Sequence, residues 1–120
     1  MAATLVAVLD DLMFTVKIAD AAKRTGLAVK FVKAEPDALA AAGDRPAAIV
    51  LDLNCRSLDP VALASKLKAS EVTKNVPLLG YISHVETERI RQAREAGVYQ
   101  VLARSAFSNQ LPDLLKRYSG

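Results

Sequence analysis

The stretch Ala47-Ala48-Ile49-Val50-Leu51-Asp52-Leu53-Asn54 decides the fold class of this chain. Its first five residues are apolar and unbroken, and a carboxylate follows them. Such a short apolar run, bounded by turn or charged residues, indicates a strand that is buried on both faces, as in a parallel sheet. By this criterion the sequence predicts five strands, of which the second and fifth are the weaker candidates: residues 5–9, 28–32, 47–51, 76–82 and 99–103.

Segments with helical spacing separate the predicted strands. The first begins after Asp11 and stops before Gly26, which is typical of a helix C-cap. We expect its inward stripe to be Leu12, Val16, Ala19 and Ala22. Four further helices are predicted: residues 36–42, a segment that starts at Asp59 and Pro60, residues 86–96, and a stripe of Phe107, Leu111, Leu114 and Tyr118. Pro112 is expected in or near the first turn of the last helix, because proline in a helix interior costs about 3 kcal/mol.

The β-α order, repeated five times, indicates a doubly wound α/β fold. Such alternation predicts a five-stranded parallel sheet with helices on both faces and right-handed crossovers. The chain has 120 residues, of which 52% are hydrophobic. This size and composition suit one domain, residues 1–120, with one ordinary core, and leave no room for a second domain.

Composition excludes several classes of protein. Every apolar run is interrupted within about eight positions, far short of the roughly 20 residues that span a bilayer, so no membrane helix is expected. The N-terminus lacks the basic region of a signal peptide, and the one cysteine, Cys55, cannot form an internal disulfide, so we expect a cytoplasmic protein. The net charge of +3 is small and scattered, so direct binding to nucleic acid is not expected.

Acidic side chains follow two of the predicted strands. Asp10 and Asp11 end the first strand, and Asp52 ends the third. Ligands of open α/β sheets bind outside the carboxyl ends of the strands, so we expect these three carboxylates to converge there. A cation would relieve their repulsion, and hard oxygen ligands are those that Mg²⁺ prefers. The alternative for the acidic pair is a helix cap or turn.

Arg104 follows the fifth predicted strand and is expected to face the acids across this edge. A guanidinium there can pair with Asp52 or bind a phosphoryl oxygen in a bidentate manner. Three acids, a magnesium site and an opposing cation are typical of a carboxylate that accepts a phosphoryl group, because the cations neutralise the charge that builds up.

These pieces, taken in order, resemble a receiver domain of the two-component response regulators, the family that includes the chemotaxis single-domain regulators. The resemblance covers essentially the whole chain and is carried by residues 8–11, 48–54, 76–81 and 93–98. It implies a flavodoxin-like (βα)5 fold in three layers. It also implies Asp52 as the phosphoacceptor, and Asp10, Asp11, Asp52 and the backbone carbonyl of Asn54 as magnesium ligands. Arg104 takes the place of the family's lysine.

The chain departs from the family at its switch positions. Ile82 stands where the family has a Thr or Ser hydroxyl that closes on the phosphoryl group, and Ser83 follows one residue later. Val101 replaces the switch aromatic of the fifth strand, and Ser105 replaces the proline after the lysine. The usual coupling of hydroxyl to aromatic is therefore not expected here, and Ser83 and Arg104 remain the candidates for contact with phosphate.

Three neighbouring features carry weaker expectations. His84 is a candidate for tuning water access to a phosphorylated Asp52, the alternative being an exposed loop residue. Cys55 is expected at the mouth of the site, where a redox role is not favoured. Residues 86–96 are expected to form a solvated helix with a pair between Arg91 and Glu95. In receivers the fourth helix, fifth strand and fifth helix commonly form the partner surface, so we expect protein contacts, and a candidate homodimer, at this face.

Two functions follow from these expectations, and a third is disfavoured. The first is a stand-alone receiver that takes a phosphoryl group onto Asp52 from a sensor histidine kinase, a phosphotransfer protein or a small phosphodonor, and docks to a separate effector. Such a protein is not an enzyme, apart from promoting its own phosphorylation and dephosphorylation. The second is a receiver-like interaction module that does not switch by phosphorylation. A flavodoxin-like enzyme or mononucleotide binder would need a Gly-rich phosphate loop, which the sequence lacks.

Overall fold

The chain forms a five-stranded parallel sheet flanked by helices, and the computed structural model describes residues 3–83 and 86–119. The strands are β1 (Thr4–Val8), β2 (Ala28–Val32), β3 (Ala48–Asp52), β4 (Leu78–Ile82) and β5 (Gln100–Ala103). The helices are α1 (Leu12–Thr25), α2 (Glu35–Gly43), α3 (Pro60–Ala69), α4 (Thr87–Glu95) and α5 (Arg104–Lys116). The sheet order is β2-β1-β3-β4-β5. The predicted doubly wound (βα)5 fold is confirmed.

Two layers of apolar side chains hold the helices on the sheet. Side chains along a strand point alternately to the two faces. Val6 and Val8 therefore join a core shared with α2, α3 and α4, whereas Leu5 and Ala7 join a core shared with α1 and α5. Every residue of β3 and β4 is buried, which explains the unbroken apolar runs in their sequences. The predicted strand boundaries differ from the observed ones by at most two residues.

The inward face of α1 differs from the predicted stripe. Leu12 and Val16 are 78% and 63% exposed, so this part of the prediction is wrong. The residues of α1 that are buried are Phe14, Ile18, Ala21 and Ala22. The buried set has nearly the spacing of the predicted stripe but lies two residues further along the helix, with Phe14 in the place expected for Leu12. Burial of the large Phe14 ring favours this face. The aliphatic spacing alone did not contain that information.

Helix α5 begins earlier than predicted and includes its proline. Arg104 is the first residue of the helix rather than the end of the fifth strand. Pro112 therefore lies in the helix interior, and its expected place near the first turn is wrong. The missing N–H leaves the carbonyl of Ser108 without its helical donor, but Pro112 is exposed, where water can satisfy that carbonyl. The predicted stripe is confirmed at Phe107, Leu111 and Leu114, which are all buried.

Membrane crossing can be assessed for the same residues. Within residues 3–83 and 86–119, none of the helices combines the length and hydrophobicity that spanning a bilayer requires.

The turn between α4 and β5 depends on Gly97. Its φ is +106°, and a Cβ at this position would lie 2.4 Å from Cγ of Lys68. Gly97→Ala is therefore expected to lower the free energy of unfolding by about 1–2 kcal/mol, as measured by urea denaturation. Gly43→Ala is the matched control, because among the described residues no atom outside its chain neighbours and its own helix backbone lies within 4 Å of the added methyl group. Equal stability of the Gly97→Ala variant and the wild type would contradict this requirement.

Candidate functional site

Asp52 ends β3, and its carboxylate lies at the carboxyl edge of the sheet. The residue is only 6% exposed although it carries a charged group. The chain turns directly after it: the Cys55 N–H donates to the Asp52 carbonyl over 3.0 Å, and the Asn54 N–H donates to Asp52 Oδ1 over 2.9 Å. The hydrogen bond to Oδ1 thus fixes the orientation of the carboxylate. Neither of these two bonds involves Oδ2.

The environment of Asp52 disfavours its charged form. Burial raises the pKa of this carboxyl above the ordinary value for aspartate, because the ionised group loses hydration. The Asn54 N–H bond and the guanidinium of Arg104 oppose this rise, whereas the negative charges of Asp10 and Asp11 add to it. The net pKa remains raised, so the ionised carboxylate is held in the fold against a desolvation cost.

The two flanking acids are each engaged by a donor of the protein. Asp10 is exposed, and its Oδ2 accepts a hydrogen bond from the Arg56 N–H over 3.1 Å. Asp11 is the N-cap of α1, since its Oδ1 accepts from the Phe14 N–H over 3.2 Å. Its Oδ2 accepts from Arg104 Nη2 over 2.5 Å. The capping alternative for the acidic pair therefore applies to Asp11, which in addition carries an ion pair.

A magnesium site requires these acids to act together. The described residues contain no group of three or more His, Cys, Asp or Glu side chains placed to hold a metal ion, so the expected convergence of the three carboxylates is not observed. The reason is that Asp10 and Asp11 each turn to a protein donor. The donor chemistry nevertheless fits a hard divalent cation, because Asp10, Asp11, Asp52 and the carbonyl of Asn54 offer only oxygen atoms at one edge of the sheet. The charges of both flanking acids also act on Asp52.

Arg104 joins α5 to the acidic edge. It forms an ion pair with Asp11, in which the two side chains are 39% and 31% exposed. The guanidinium carbon also lies 4.8 Å from the centroid of the Phe14 ring, a distance typical of a cation–π contact. The opposing cation expected from the sequence is present, but its ionic partner is Asp11 rather than Asp52.

The residues at the end of β4 differ from the pattern expected for a receiver, which has a hydroxyl side chain at the position of Ile82. Ile82 is 1% exposed and packs in the core beneath α2, α3 and α4. Ser83 is exposed, and its N–H donates to Asn54 Oδ1 over 2.7 Å. Ser83 and Arg104 line an open cleft of about 800 Å³ between α1 and α5. Ser83 therefore lies at the rim of the site, whereas Ile82 is part of the core.

The other two departures from the receiver pattern lie on β5 and α5. Val101 is half-buried and packs against the core beneath α4. Ser105 is exposed in the first turn of α5 and lines the same cleft as Ser83. An aliphatic side chain thus occupies the position of the switch aromatic, and a small polar side chain occupies that of the proline.

Two of the weaker expectations have different outcomes. Cys55 is 7% exposed, and its Sγ lies 3.2 Å from Ser57 Oγ, so its expected exposure at the mouth of the site is wrong. The short turn after Asp52 folds the thiol inward. His84 lies outside the described residues, and its proposed tuning role stays a prediction.

Helix α4 carries a contact that the charge pattern did not reveal. The predicted pair of Arg91 and Glu95 is confirmed at 2.5 Å. Arg89, assigned to the solvated face, instead reaches the site loop, where its Nη1 donates to the carbonyl of Leu53 over 3.2 Å. Its Nε lies 3.6 Å from Glu86 Oε2, an ion pair too long for a hydrogen bond. This contact ties α4 to the chain directly after Asp52.

An aromatic cluster lies beneath the acidic edge. The ring of Tyr81 is 4.5 Å from the ring of Phe14 and 5.0 Å from that of Phe107, measured between centroids. Sequence reasoning placed Tyr81 in a buried strand and gave it no role. The two-residue period of a strand relates faces only within that strand, so placing Tyr81 on the face of Asp52 also requires the register of β3 and β4.

Solved structures of response regulators share this architecture. The chemotaxis response regulator CheY4 of Vibrio cholerae superposes with a TM-score of 0.83 at 19% sequence identity, over 98% of this chain and 99% of that one. A putative response regulator from Chloroflexus aurantiacus gives a TM-score of 0.85 at 21% identity, over 98% of each chain. The chain has the receiver fold.

A third structure of the same fold holds a metal ion. It is the receiver domain of a sensor histidine kinase from Pseudomonas aeruginosa, which has a magnesium ion coordinated in its active-site cleft. Its TM-score is 0.84 at 21% identity, and the match covers 98% of each chain. No protein-family model matches the chain, and no curated protein matches it. The likeness to these receiver domains is one of fold.

The raised pKa of Asp52 predicts a pH-dependent stability. An aspartate whose pKa is higher in the folded than in the unfolded chain destabilises the fold when ionised, and this cost vanishes once both states are protonated. Asp52→Asn removes the charge and keeps the shape. At neutral pH it should raise stability by about 1 kcal/mol, which corresponds to about 4 °C in Tm. The gain should shrink as the pH falls from the raised pKa of folded Asp52 toward the ordinary value for aspartate, and it should be lost below that value, as followed by thermal melts.

The control for this prediction is Asp113→Asn, which neutralises an exposed aspartate of α5. Its Tm should follow that of the wild type across the pH series. A gain from Asp52→Asn that persists unchanged at about pH 3, where carboxyls are largely protonated, would contradict the electrostatic origin of the effect.

The ion pair of Asp11 and Arg104 predicts competition with metal ions. Arg104→Gln frees Asp11 Oδ2, so the affinity for Mg²⁺ should rise about fivefold, because a partly exposed pair contributes up to about 1 kcal/mol. Calorimetric titration with magnesium chloride measures this change. Lys17→Gln is the control: Lys17 lines the same cleft, but its Nζ donates to Ser108 Oγ. An equal rise in both variants would indicate a general charge effect instead.

Proposed function

We propose that this chain is a receiver that accepts a phosphoryl group on Asp52 and signals by docking to a separate effector protein. The observation that carries the proposal is the buried carboxylate of Asp52 at the carboxyl edge of a receiver fold, with two acids and Arg104 around it. The donor would be a sensor histidine kinase, a phosphotransfer protein or a small phosphodonor. The setting would be the cytoplasm, in a two-component phosphorelay.

The chemistry is a transfer between two nucleophiles. Asp52 Oδ2 attacks the phosphorus of a phosphohistidine or an acyl phosphate, the new P–O bond forms, and the bond to the donor's nitrogen or oxygen breaks, its electron pair staying with the donor. The Asn54 N–H holds Oδ1, so the carboxylate has a fixed orientation and Oδ2 is the oxygen assigned to the attack. Arg104 lies close enough for its charge to lower the cost of ionising Asp52, so it favours the carboxylate that attacks.

The metal implied by the receiver fold would be held by this chain's own oxygens. Asp10, Asp11, Asp52 and the carbonyl of Asn54 would bind Mg²⁺. When bound, Mg²⁺ supplies positive charge to the carboxylates and phosphoryl oxygens. Asp11 Oδ2 already accepts from Arg104, so a metal bound at this oxygen would compete with the guanidinium, which could otherwise bind a phosphoryl oxygen.

The proposed docking surface is the face formed by α4, β5 and α5. Tyr99, directly before β5, is 75% exposed, and an exposed aromatic side chain is a frequent anchor in protein interfaces. Arg89 connects this face to the carbonyl of Leu53 beside the phosphoacceptor. A change in the site loop would therefore reach α4 through one side chain. The same face is the candidate for a homodimer contact.

A second function, a receiver-like interaction module that does not switch by phosphorylation, is favoured by Ile82. This residue is 1% exposed in the core, so the usual hydroxyl donor is replaced by an apolar side chain. Val101, at the position of the switch aromatic, is packed against the same core. In this alternative the fold would present the α4, β5 and α5 face constitutively.

Phosphorylation of Asp52 distinguishes the two functions. The wild type is incubated with Mg²⁺ and acetyl phosphate, or with beryllofluoride, and the adduct is followed by intact mass or ¹⁹F NMR. We expect a metal-dependent adduct in the wild type and in Asp113→Asn, and at least tenfold less in Asp52→Asn, because the nucleophile is removed. If the wild type and Asp52→Asn behave alike, the phosphoacceptor role is wrong and the interaction module is favoured.

A further inference from the structure

Tyr81 carries a buried hydroxyl that the fold does not use. The residue is 1% exposed, and among the described residues no hydrogen-bond partner lies within reach of its Oη. Buried polar atoms are nearly always paired, because an unpaired donor loses its water without compensation. An unpaired phenol in an otherwise well-packed core therefore points to a partner that is present only in another state of the protein.

Strand register places Tyr81 beside the residue proposed as the phosphoacceptor. Asp52 and Tyr81 are direct partners in the parallel pairing of β3 and β4. Paired residues of parallel strands share a face, so both side chains lie on the side of α1 and α5. Burial raises the pKa of the Tyr81 hydroxyl, and the negative charges of Asp52 and Asp11 raise it further. The charge on Arg104 acts in the opposite direction. The hydroxyl thus lies in the field of the acidic site.

The ring is held firmly in this position. Phe14 and Phe107 lie on it at centroid distances of 4.5 Å and 5.0 Å. The guanidinium of Arg104 lies against Phe14 in turn. A clamped aromatic ring fixes where its hydroxyl oxygen lies, which makes it a preorganised donor.

We propose that Tyr81 Oη donates a hydrogen bond to the phosphorylated carboxyl of Asp52 and supplies the hydroxyl that Ile82 lacks. This inference rests on the proposed function of Asp52. In the free protein the turn at Asn54 holds Oδ1, and the phenol has no hydrogen-bond partner within residues 3–83 and 86–119. Phosphorylation adds three oxygens to Asp52 and brings acceptors into the space beside the phenol. Because the bond forms only with the phosphoryl group, it stabilises that state selectively.

The test compares Tyr81→Phe with the wild type in binding beryllofluoride in the presence of Mg²⁺, measured by ¹⁹F NMR titration. Loss of one hydrogen bond to an anionic group should weaken binding about tenfold. Tyr118→Phe is the matched control, since Tyr118 is half-buried in the same aromatic face and should leave affinity unchanged. The Tm of free Tyr81→Phe should equal or exceed that of the wild type, because the hydroxyl is unpaired before binding.

The outcomes separate the two claims. Binding by the wild type with Tyr81→Phe within twofold of it overturns the role of Tyr81 and leaves the proposed function standing. A fall in Tm with unchanged affinity also overturns it, because that is the signature of a purely structural hydroxyl. Failure of the wild type to bind, or binding that survives Asp52→Asn, overturns the proposed function and this inference with it.

A second measurement does not depend on folding of the variant. Wild-type protein labelled with ¹³C at the ζ carbon of tyrosine gives three resonances, from Tyr81, Tyr99 and Tyr118. Tyr99→Phe and Tyr118→Phe assign them by elimination. Beryllofluoride should shift the Tyr81 resonance and leave the other two in place. A Tyr81 resonance that does not move on saturation overturns the proposal.

Discussion

The burial of a charged carboxylate at the end of the central strand is the constraint on which the site depends. Asp52 ends a strand whose residues are all buried, so its charge loses most of its water. A buried charge persists in a folded protein only where donors or cations surround it. The turn through Asn54 supplies a donor, and α5 supplies the charge of Arg104. Asn54 and Arg104 thus favour the ionised form of Asp52, whereas burial and the charges of Asp10 and Asp11 oppose it, and the net pKa remains raised.

The two faces of β4 divide the surroundings of this carboxylate. Ile82 points to the core beneath α2, α3 and α4, where Val101 packs against the same cluster. Tyr81 points to the opposite core, between α1 and α5. An apolar side chain thus occupies the face where receivers of the usual pattern place their hydroxyl and aromatic, whereas the face behind it carries both a phenol and an aromatic cluster. In the proposed role of Tyr81, the hydroxyl at this strand end would act from the opposite face of the sheet, one residue before Ile82.

Features that depend on hydrophobic periodicity and on the order of elements along the chain were predicted from the sequence. The rotation of α1 and the pairing of charged side chains were not. The strands and the position of Asp52 follow from apolar runs that end in a carboxylate, and this pattern is strong because both faces of β3 are buried. Helix α1 has two stripes that differ by two residues, and the aliphatic one was predicted although the one that begins at Phe14 is buried. The pairing of Asp11 with Arg104 was also missed, since the spacing of residues in the sequence does not show with which of three acids an arginine side chain forms an ion pair. Tyr81 needed the register of two strands that are distant in sequence.

Arginine at position 104 has consequences that a lysine would not have. A planar guanidinium can bind a carboxylate through its edge while its face lies on an aromatic ring, whereas an ammonium offers a point charge. Arg104 does both, with Asp11 and Phe14. Asp11 also caps α1, and Arg104 is the first residue of α5, so one ion pair joins the starts of the two helices that cover this face. In the proposed function, a cation bound to Asp11 or a phosphoryl group bound to Arg104 would compete with this pair. The interaction that the proposed chemistry would break is therefore also a contact between the starts of α1 and α5.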